Sequence, residues 1–223
     1  MSEKNANPAA LLPVPKASLF DFDGVIVNSH SAHKAAWQSA AAAIWGGTPP
    51  GYPQELSGRA PLKIAEWYCA RANDPQRTEE YMHLKLLHLL EQTKPPRLLP
   101  GVRKIFARLQ RENIPFGIAS NAPFAFVEAT VKKHNLPVEM MTGVENYENP
   151  KPNPEPYFML AKALGVSESD FSETLIFEDS KTGMQSAAAT GMYAVGLRTS
   201  YSEAVLKEYG ARVTLQDLSE ATW

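Results

Sequence analysis

Short apolar runs recur along this chain, separated by longer stretches in which apolar residues return every three or four positions. The first pattern predicts buried strands and the second amphipathic helices. Strands are expected at 17–22, 116–119, 139–142, 175–177 and 194–197, and helices at 102–111, 124–134, 156–164 and 182–190. Gly165 and Gly191 follow the last two of these helices, where a left-handed residue commonly ends a helix. Alternation at this rhythm predicts an α/β fold: a doubly wound, Rossmann-like parallel sheet flanked by helices.

Between 31 and 97 the rhythm breaks. Helices are predicted at 31–45, 62–72 and 79–92, the last with an apolar face of Leu86, Leu87, Leu89 and Leu90, and no strand intervenes. The segment 46–53, GGTPPGYP, is irregular by composition, and Pro95, Pro96 and Pro100 mark a second break. The economical reading is a small α-helical cap, 31–97, inserted into a core of 1–30 and 98–223, with 1–15 a mobile tail. Trp37, Trp67 and Tyr68 are expected in the cap's own core. Single-stranded joins near 28–33 and 95–101 would be hinges.

Composition narrows the partners. With 22 basic and 24 acidic side chains among 223 residues, the net charge of −2 offers no basic surplus for nucleic acid and no basic amphipathic stretch for a membrane surface. No apolar run approaches the ~20 residues of a membrane span. The lone cysteine, Cys69, excludes an internal disulfide and reads as a small buried hydrophobe in a reducing compartment. A cytoplasmic location is expected.

Candidate chemistry gathers at predicted strand ends, where an open parallel sheet places its active site. Asp21-Phe22-Asp23-Gly24 comes first. Strand alternation would send both carboxylates to one side, and Gly24 lets the chain turn afterwards. Two acids this close need a bridging cation or a shared proton. One can attack phosphorus to form an acyl phosphate while the other protonates the leaving oxygen. The alternative is a pair of solvated acids at a turn.

Ser120-Asn121 follows the strand at 116–119 and could clamp a phosphate with a hydroxyl and backbone N–H groups, or simply cap a helix. Lys151 stands among Pro150, Pro152 and Pro154, which hold its loop extended. A lysine so placed can neutralise a carboxylate nucleophile and bind a phosphate oxygen, or remain a solvated loop residue. Glu178-Asp179 closes the strand at 175–177 with hard oxygen donors suited to Mg²⁺, and Gly183 permits close packing where the next helix begins.

In order and spacing these residues resemble the four motifs of the haloacid dehalogenase superfamily, over about 17–199. Within it the sequence is similar to the β-phosphoglucomutase-like and sugar-phosphate phosphatase group, whose small helical cap follows the first motif. Val27-Asn28-Ser29, His33 and Trp37 resemble that group's hinge and first cap helix. The resemblance implies a nucleophilic Asp21, an acid/base Asp23 and a phosphate bound by Ser120 and Lys151. It implies Mg²⁺ held by Asp21, the Asp23 backbone carbonyl and Asp179, with Glu178 supporting. Pro150 departs from the glycine common before the lysine, which bears on loop rigidity.

The cap is less specific. Ser57-Gly58-Arg59 resembles a loop reaching toward the substrate, and Arg59 could hold a second anionic group bidentately or be solvated. His33 could relay a proton at the hinge or pack beneath the cap, and Arg77 could face the site or stand at a solvated helix start. The implied activity is a Mg²⁺-dependent phosphatase acting on a small phosphorylated metabolite, a sugar or polyol phosphate, through an aspartyl phosphate. A phosphomutase of the β-phosphoglucomutase type shares all four motifs. A dehalogenase needs neither Asp23 nor Asp179, a phosphonate hydrolase would normally replace Asp23, and a non-enzymatic binding module would be expected to lose a carboxylate. A monomer or weak homodimer is expected.

Overall fold

A computed structural model of the protein describes residues 11–47, 56 and 58–223. Leu12 is buried and its N–H donates to the Thr222 carbonyl at 2.8 Å. The chain is therefore anchored from Leu12 onward, inside the stretch expected to be mobile; residues 1–10 of that stretch lie outside the described residues.

In chain order, β1 (Ala17–Phe20) and a two-residue β2 (Val27–Asn28) precede three helices, α1 (His30–Trp45), α2 (Pro61–Arg71) and α3 (Thr78–Leu90). Then come β3 (Arg97–Leu98), α4 (Val102–Arg111), β4 (Phe116–Ala119), α5 (Phe124–Lys133) and β5 (Met140–Thr142). The chain ends through α6 (Glu155–Ala163), β6 (Thr174–Glu178), α7 (Lys181–Ala189), β7 (Tyr193–Leu197), α8 (Glu203–Glu208) and β8 (Val213–Leu215). Six strands form one sheet in the order β5-β4-β1-β6-β7-β8, every pair parallel. The doubly wound architecture expected from the sequence is present, extended by α8 and β8, which the sequence pattern had not marked.

Period-two alternation sorts strand residues onto two faces. Phe20, Ile118, Phe177 and Val195 pack toward α4 and α5, while Leu19, Ala119, Ile176 and Ala194 pack toward α6, α7 and α8. Phe20 stacks on Phe177 at 4.9 Å and meets the edge of Phe106 at 5.2 Å. From β1 the chain moves outward through β4 and β5, then returns to fill the other side from β6 to β8. That reversal opens a crevice at the carboxyl end of β1.

The helices between β2 and β3 bury a cluster of their own, including Trp37, Ile64, Tyr68, Cys69 and Tyr81. Trp67 lies partly buried at its edge, with the Arg71 guanidinium over its ring at 4.4 Å. The joins are not single-stranded. β2 and β3 pair antiparallel, Val27 opposite Leu98 and Asn28 opposite Arg97, and α1 already begins at His30. Pairing satisfies backbone groups that two separate extended segments would leave to water. Most of the irregular segment predicted at 46–53 lies outside the described residues. No described helix is long and apolar enough to cross a membrane.

Candidate active site

β1 stops at Phe20, one residue short of Asp21. The Asp21 N–H still donates to the Phe177 carbonyl at 3.0 Å, which keeps the residue at the end of the sheet. The Phe22 carbonyl then accepts from the N–H groups of Ile26 (2.9 Å) and Val27 (3.1 Å), closing a tight turn. At its apex Gly24 has φ +84°, and a Cβ there would fall 1.9 Å from Asp179 Oδ2. Glycine is needed on both counts. Phe20 and Phe22 share one core cluster, so alternation persists past the last residue of the strand, and Asp21 and Asp23 reach the same place.

That place is a cavity of about 550 Å³, lined by Asp21, Asp23, Ser120, Asn121, Lys151, Glu178 and Asp179. His33 and Arg59 line it as well. Arg77 does not; it pairs with Asp74 (3.3 Å) and Glu80 (3.0 Å) at the start of α3. Ser57 lies outside the described residues.

Lys151 is buried, and its ammonium donates to Asp21 Oδ1 (2.6 Å), Glu178 Oε1 (2.7 Å) and the Tyr157 hydroxyl (2.8 Å). Tyr157 in turn donates to Glu178 Oε1 at 2.6 Å. Burial alone would lower the Lys151 pKa, but the Asp21 and Glu178 charges outweigh it and hold the amine protonated. Burial, then the Glu178 charge, push Asp21 well above the carboxylate range despite Lys151. The same two causes lift Asp179 to about 7, against hydrogen bonds from Ser200 and Thr199.

Oxygens of Asp21, Glu178 and Asp179 all lie within 4.8 Å of one another. Three carboxylates against the one Lys151 ammonium leave an excess of negative charge, and every donor is a hard oxygen. The set fits a divalent cation of the Mg²⁺ type. Glu178 is the most committed of the three: Lys151 and Tyr157 use Oε1, and the Asp179 N–H donates to Oε2 at 3.1 Å.

Asn121 braces the floor. Its side-chain Nδ2 donates to the carbonyls of Gly58 (2.8 Å) and Lys151 (3.1 Å), and its Oδ1 accepts from the Lys151 N–H at 3.1 Å. Gly183 supports Glu178 from behind, because a Cβ there would lie 1.9 Å from the carboxylate carbon. Gly183→Ala is therefore expected to cost about 1–3 kcal/mol of stability by overpacking. It should also lower kcat about tenfold or more by displacing the Glu178–Lys151 pair. Denaturant titration and turnover read the two effects; wild-type values in both would show that α7 yields without cost.

A second network joins the sheet to the helical insert. Asp23 Oδ1 accepts from the Ser29 hydroxyl and meets His33 Nε2 at 3.1 Å, and His33 Nδ1 meets Lys85 Nζ at 3.0 Å. An ammonium can only donate, so Lys85 fills Nδ1 and leaves the imidazole proton on Nε2, facing Asp23. Burial lowers Lys85 to about 8, with Asp23 opposing. Burial and then Lys85 lower His33. For Asp23 burial is upward, but His33, Ser29 and Lys85 together hold the carboxyl below its usual value.

A profile of haloacid dehalogenase-like hydrolases matches residues 15–191. The chain belongs to that family. This haloacid dehalogenase-like hydrolase is 25% identical over 211 residues to validoxylamine A 7'-phosphate phosphatase of Streptomyces hygroscopicus subsp. limoneus, covering 93% of this chain and 96% of that protein. It is 25% identical over 187 residues to hexitol phosphatase A of Escherichia coli K12, covering 82% of each. A solved β-phosphoglucomutase from Clostridium difficile shares the fold, with a TM-score of 0.78 at 19% identity over 94% of both chains.

Three residues that shape this hydrolase's site went unmarked by sequence reasoning, Lys85, Tyr157 and Ser200, and Ser29 was read only as part of a hinge. Lys85 had a readable signal. It stands between Tyr81 and Leu89 on the buried face of α3, spaced four residues from each, and a lysine on an apolar stripe is out of place unless something pairs with it.

Proposed function

We propose that this hydrolase is a Mg²⁺-dependent phosphatase of small phosphorylated metabolites, sugar or polyol phosphates among them. The observation that carries the reading is a buried Asp21 held 2.6 Å from the Lys151 ammonium on the floor of the cavity, with Asp23 on the same cavity. The two relatives named above are both phosphatases by name.

In this scheme an Asp21 oxygen bonds to phosphorus as the ester P–O bond breaks, and Asp23 delivers a proton to the departing oxygen. As a carboxylate, Asp23 then takes a proton from water; that water bonds to phosphorus, the aspartyl–phosphate bond breaks, and Asp21 and phosphate are regenerated. The low Asp23 pKa set by His33, Ser29 and Lys85 suits the second of these duties. Lys151, the Ser120 hydroxyl and the Asn121 backbone N–H hold phosphoryl oxygens. Asp21, the Asp23 carbonyl and Asp179, with Glu178 behind, are the residues that would hold Mg²⁺, whose charge shields carboxylate from phosphate. The helices between β2 and β3 act as the cap, and His33, backed by Lys85, ties that cap to Asp23.

Release of phosphate from a panel of phosphate esters tests the reading. A chelator should lower turnover by about 10²-fold or more, and Mg²⁺ should restore it. Turnover that persists unchanged in EDTA would remove the metal from the scheme. Glucose 1-phosphate with a bisphosphate activator should give phosphate or nothing; accumulation of glucose 6-phosphate would make the protein a phosphomutase.

A further inference from the structure

The connection from β7 to α8, residues 198–202, belongs to none of the four motifs, yet Thr199, Ser200 and Tyr201 line the cavity. Both of its ends are fixed. The Arg198 N–H donates to the Leu215 carbonyl at 2.9 Å, and the Ser202 hydroxyl caps α8 by accepting from the Val205 N–H. The strand and helix that the sequence pattern had not marked, β8 and α8, thus anchor a hydroxyl-bearing loop beside the site.

Two hydroxyls of this loop reach Asp179. Ser200 donates to Oδ2, while Thr199 lies 3.3 Å from the same oxygen and donates to the Gly24 carbonyl at 2.6 Å. A hydroxyl has one proton to give, so Ser200 serves the carboxylate and Thr199 mainly the turn that carries Asp23. Asp179 is buried, whereas both loop residues are exposed at the cavity's edge. Exposed hydroxyls have water available to them, so folding of the loop does not itself require these contacts. Gly24 closes the other side of Asp179, because its missing Cβ leaves the space that Oδ2 fills. Among the described residues no donor meets the other oxygen, Oδ1. The character of the donors matters as well. Lys151 cancels charge where it binds Asp21 and Glu178, but a hydroxyl orients a carboxylate and leaves its negative charge for a cation.

We propose that Ser200 and Thr199 are positioning residues for the Mg²⁺ site. Ser200 holds the Asp179 carboxylate so that Oδ1 is left for the ion. Thr199 ties the Gly24 carbonyl, next in the chain to the Asp23 carbonyl, to the same loop. Two of the groups that would hold the metal, from opposite ends of the sequence, are thereby kept in register by a segment that supplies no ligand of its own. Mg²⁺ demands near-ideal octahedral geometry, so a carboxylate free to rotate binds it poorly. Partners that orient metal ligands are typically worth about 10–100-fold in affinity. The inference rests on the phosphatase reading for its cation, and adds to that reading two residues outside the four motifs.

Two measurements on the same variants test it: the Mg²⁺ dissociation constant by calorimetry without substrate, and the Mg²⁺ concentration for half-maximal hydrolysis of p-nitrophenyl phosphate. Ser200→Ala should raise both about tenfold or more, and saturating Mg²⁺ should recover most of the turnover. Thr199→Val should shift both in the same direction by less. Ser200→Thr, which keeps the hydroxyl, should stay near the wild type. Ser202→Ala is the control for a loosened loop: it removes the α8 cap, so it should lower the denaturant midpoint and leave the Mg²⁺ requirement as it was. A wild-type Mg²⁺ affinity in Ser200→Ala would overturn the proposal, as would an equal loss in Ser202→Ala, or a wild type that binds no Mg²⁺. If Mg²⁺ binds but no phosphate ester is hydrolysed, the phosphatase reading fails, and calorimetry alone decides the role of Ser200.

Discussion

Asp21→Asn is expected to abolish turnover and to leave the protein at least as stable as the wild type. The amide is nearly isosteric with the carboxylate, and its oxygen can still accept from the Lys151 ammonium that now donates at 2.6 Å. It cannot form an acyl phosphate, so kcat should fall by about three orders of magnitude or more. Stability should move the other way, because Asp21 is buried beside Glu178 and held well above its ordinary pKa. Folded Asp21 therefore keeps a proton to higher pH than the unfolded chain does. Across that window the folded state binds more protons, and stability falls as pH rises above about 4. The asparagine carries no such penalty, so any gain should be largest at neutral pH and vanish in acid. Turnover assays and thermal melts in EDTA, at pH 4 and pH 7, measure both arms. A variant that keeps a tenth of the wild-type rate would remove Asp21 as nucleophile. A variant that is inactive but much less stable would leave the fold as the cause.

Local clusters at strand ends were legible in the sequence because each is written in neighbouring residues. Asp21-Phe22-Asp23-Gly24 and Glu178-Asp179 both announce a strand end with acids, and both are found beside the crevice of the parallel sheet. Gly183 was legible as a close-packing residue, and the structure shows that what it makes room for is the Glu178 carboxylate. Arg77 could have been read more fully: acids three residues to either side make an ion-paired helix start self-sufficient, and both pairs form.

What escaped depends on contacts between distant parts of the chain. Lys151 and Asp21 are 130 residues apart, and the burial of Lys151 follows from its loop docking on the two carboxylates that the pairing of β1 with β6 brings together. Tyr157 reads as one more apolar residue of α6 until its hydroxyl is seen between Lys151 and Glu178. The β2–β3 ribbon pairs two residues with two residues, too few for any periodicity to register. Asn121 was legible as a turn residue beside the phosphate position, but the use of its side chain to hold Gly58 and Lys151 required all three loops to be placed together.

Lys151→Met should damage stability and chemistry together, and by amounts that can be separated. The side chain is buried with two carboxylates and a phenol around its ammonium. Methionine matches much of the volume but supplies no charge, so Asp21 and Glu178 would face each other in a dry site with their shared cation gone. Breaking a buried pair by removing one partner typically costs about 3–5 kcal/mol. Loss of a donor to the transferring phosphoryl group should lower kcat by about 10²–10³-fold in addition. The pH dependence identifies the cause. In the wild type the Lys151 pKa is raised on folding, so its contribution is fully present below the ordinary lysine value and fades only in strong alkali. In the variant the penalty comes from carboxylate charge left without a counter-ion, and Asp21, already prone to hold its proton, can relieve part of it by protonation. The stability gap between variant and wild type should therefore be widest at neutral pH and narrow as pH falls toward 4. Mg²⁺ should narrow it too, by supplying positive charge near the same oxygens. Denaturant midpoints at pH 4, 5.5 and 7, with EDTA and with Mg²⁺, follow this directly. A gap that stays constant across pH and metal would mean that Lys151 acts through packing, and would withdraw the claim that its charge holds the site together.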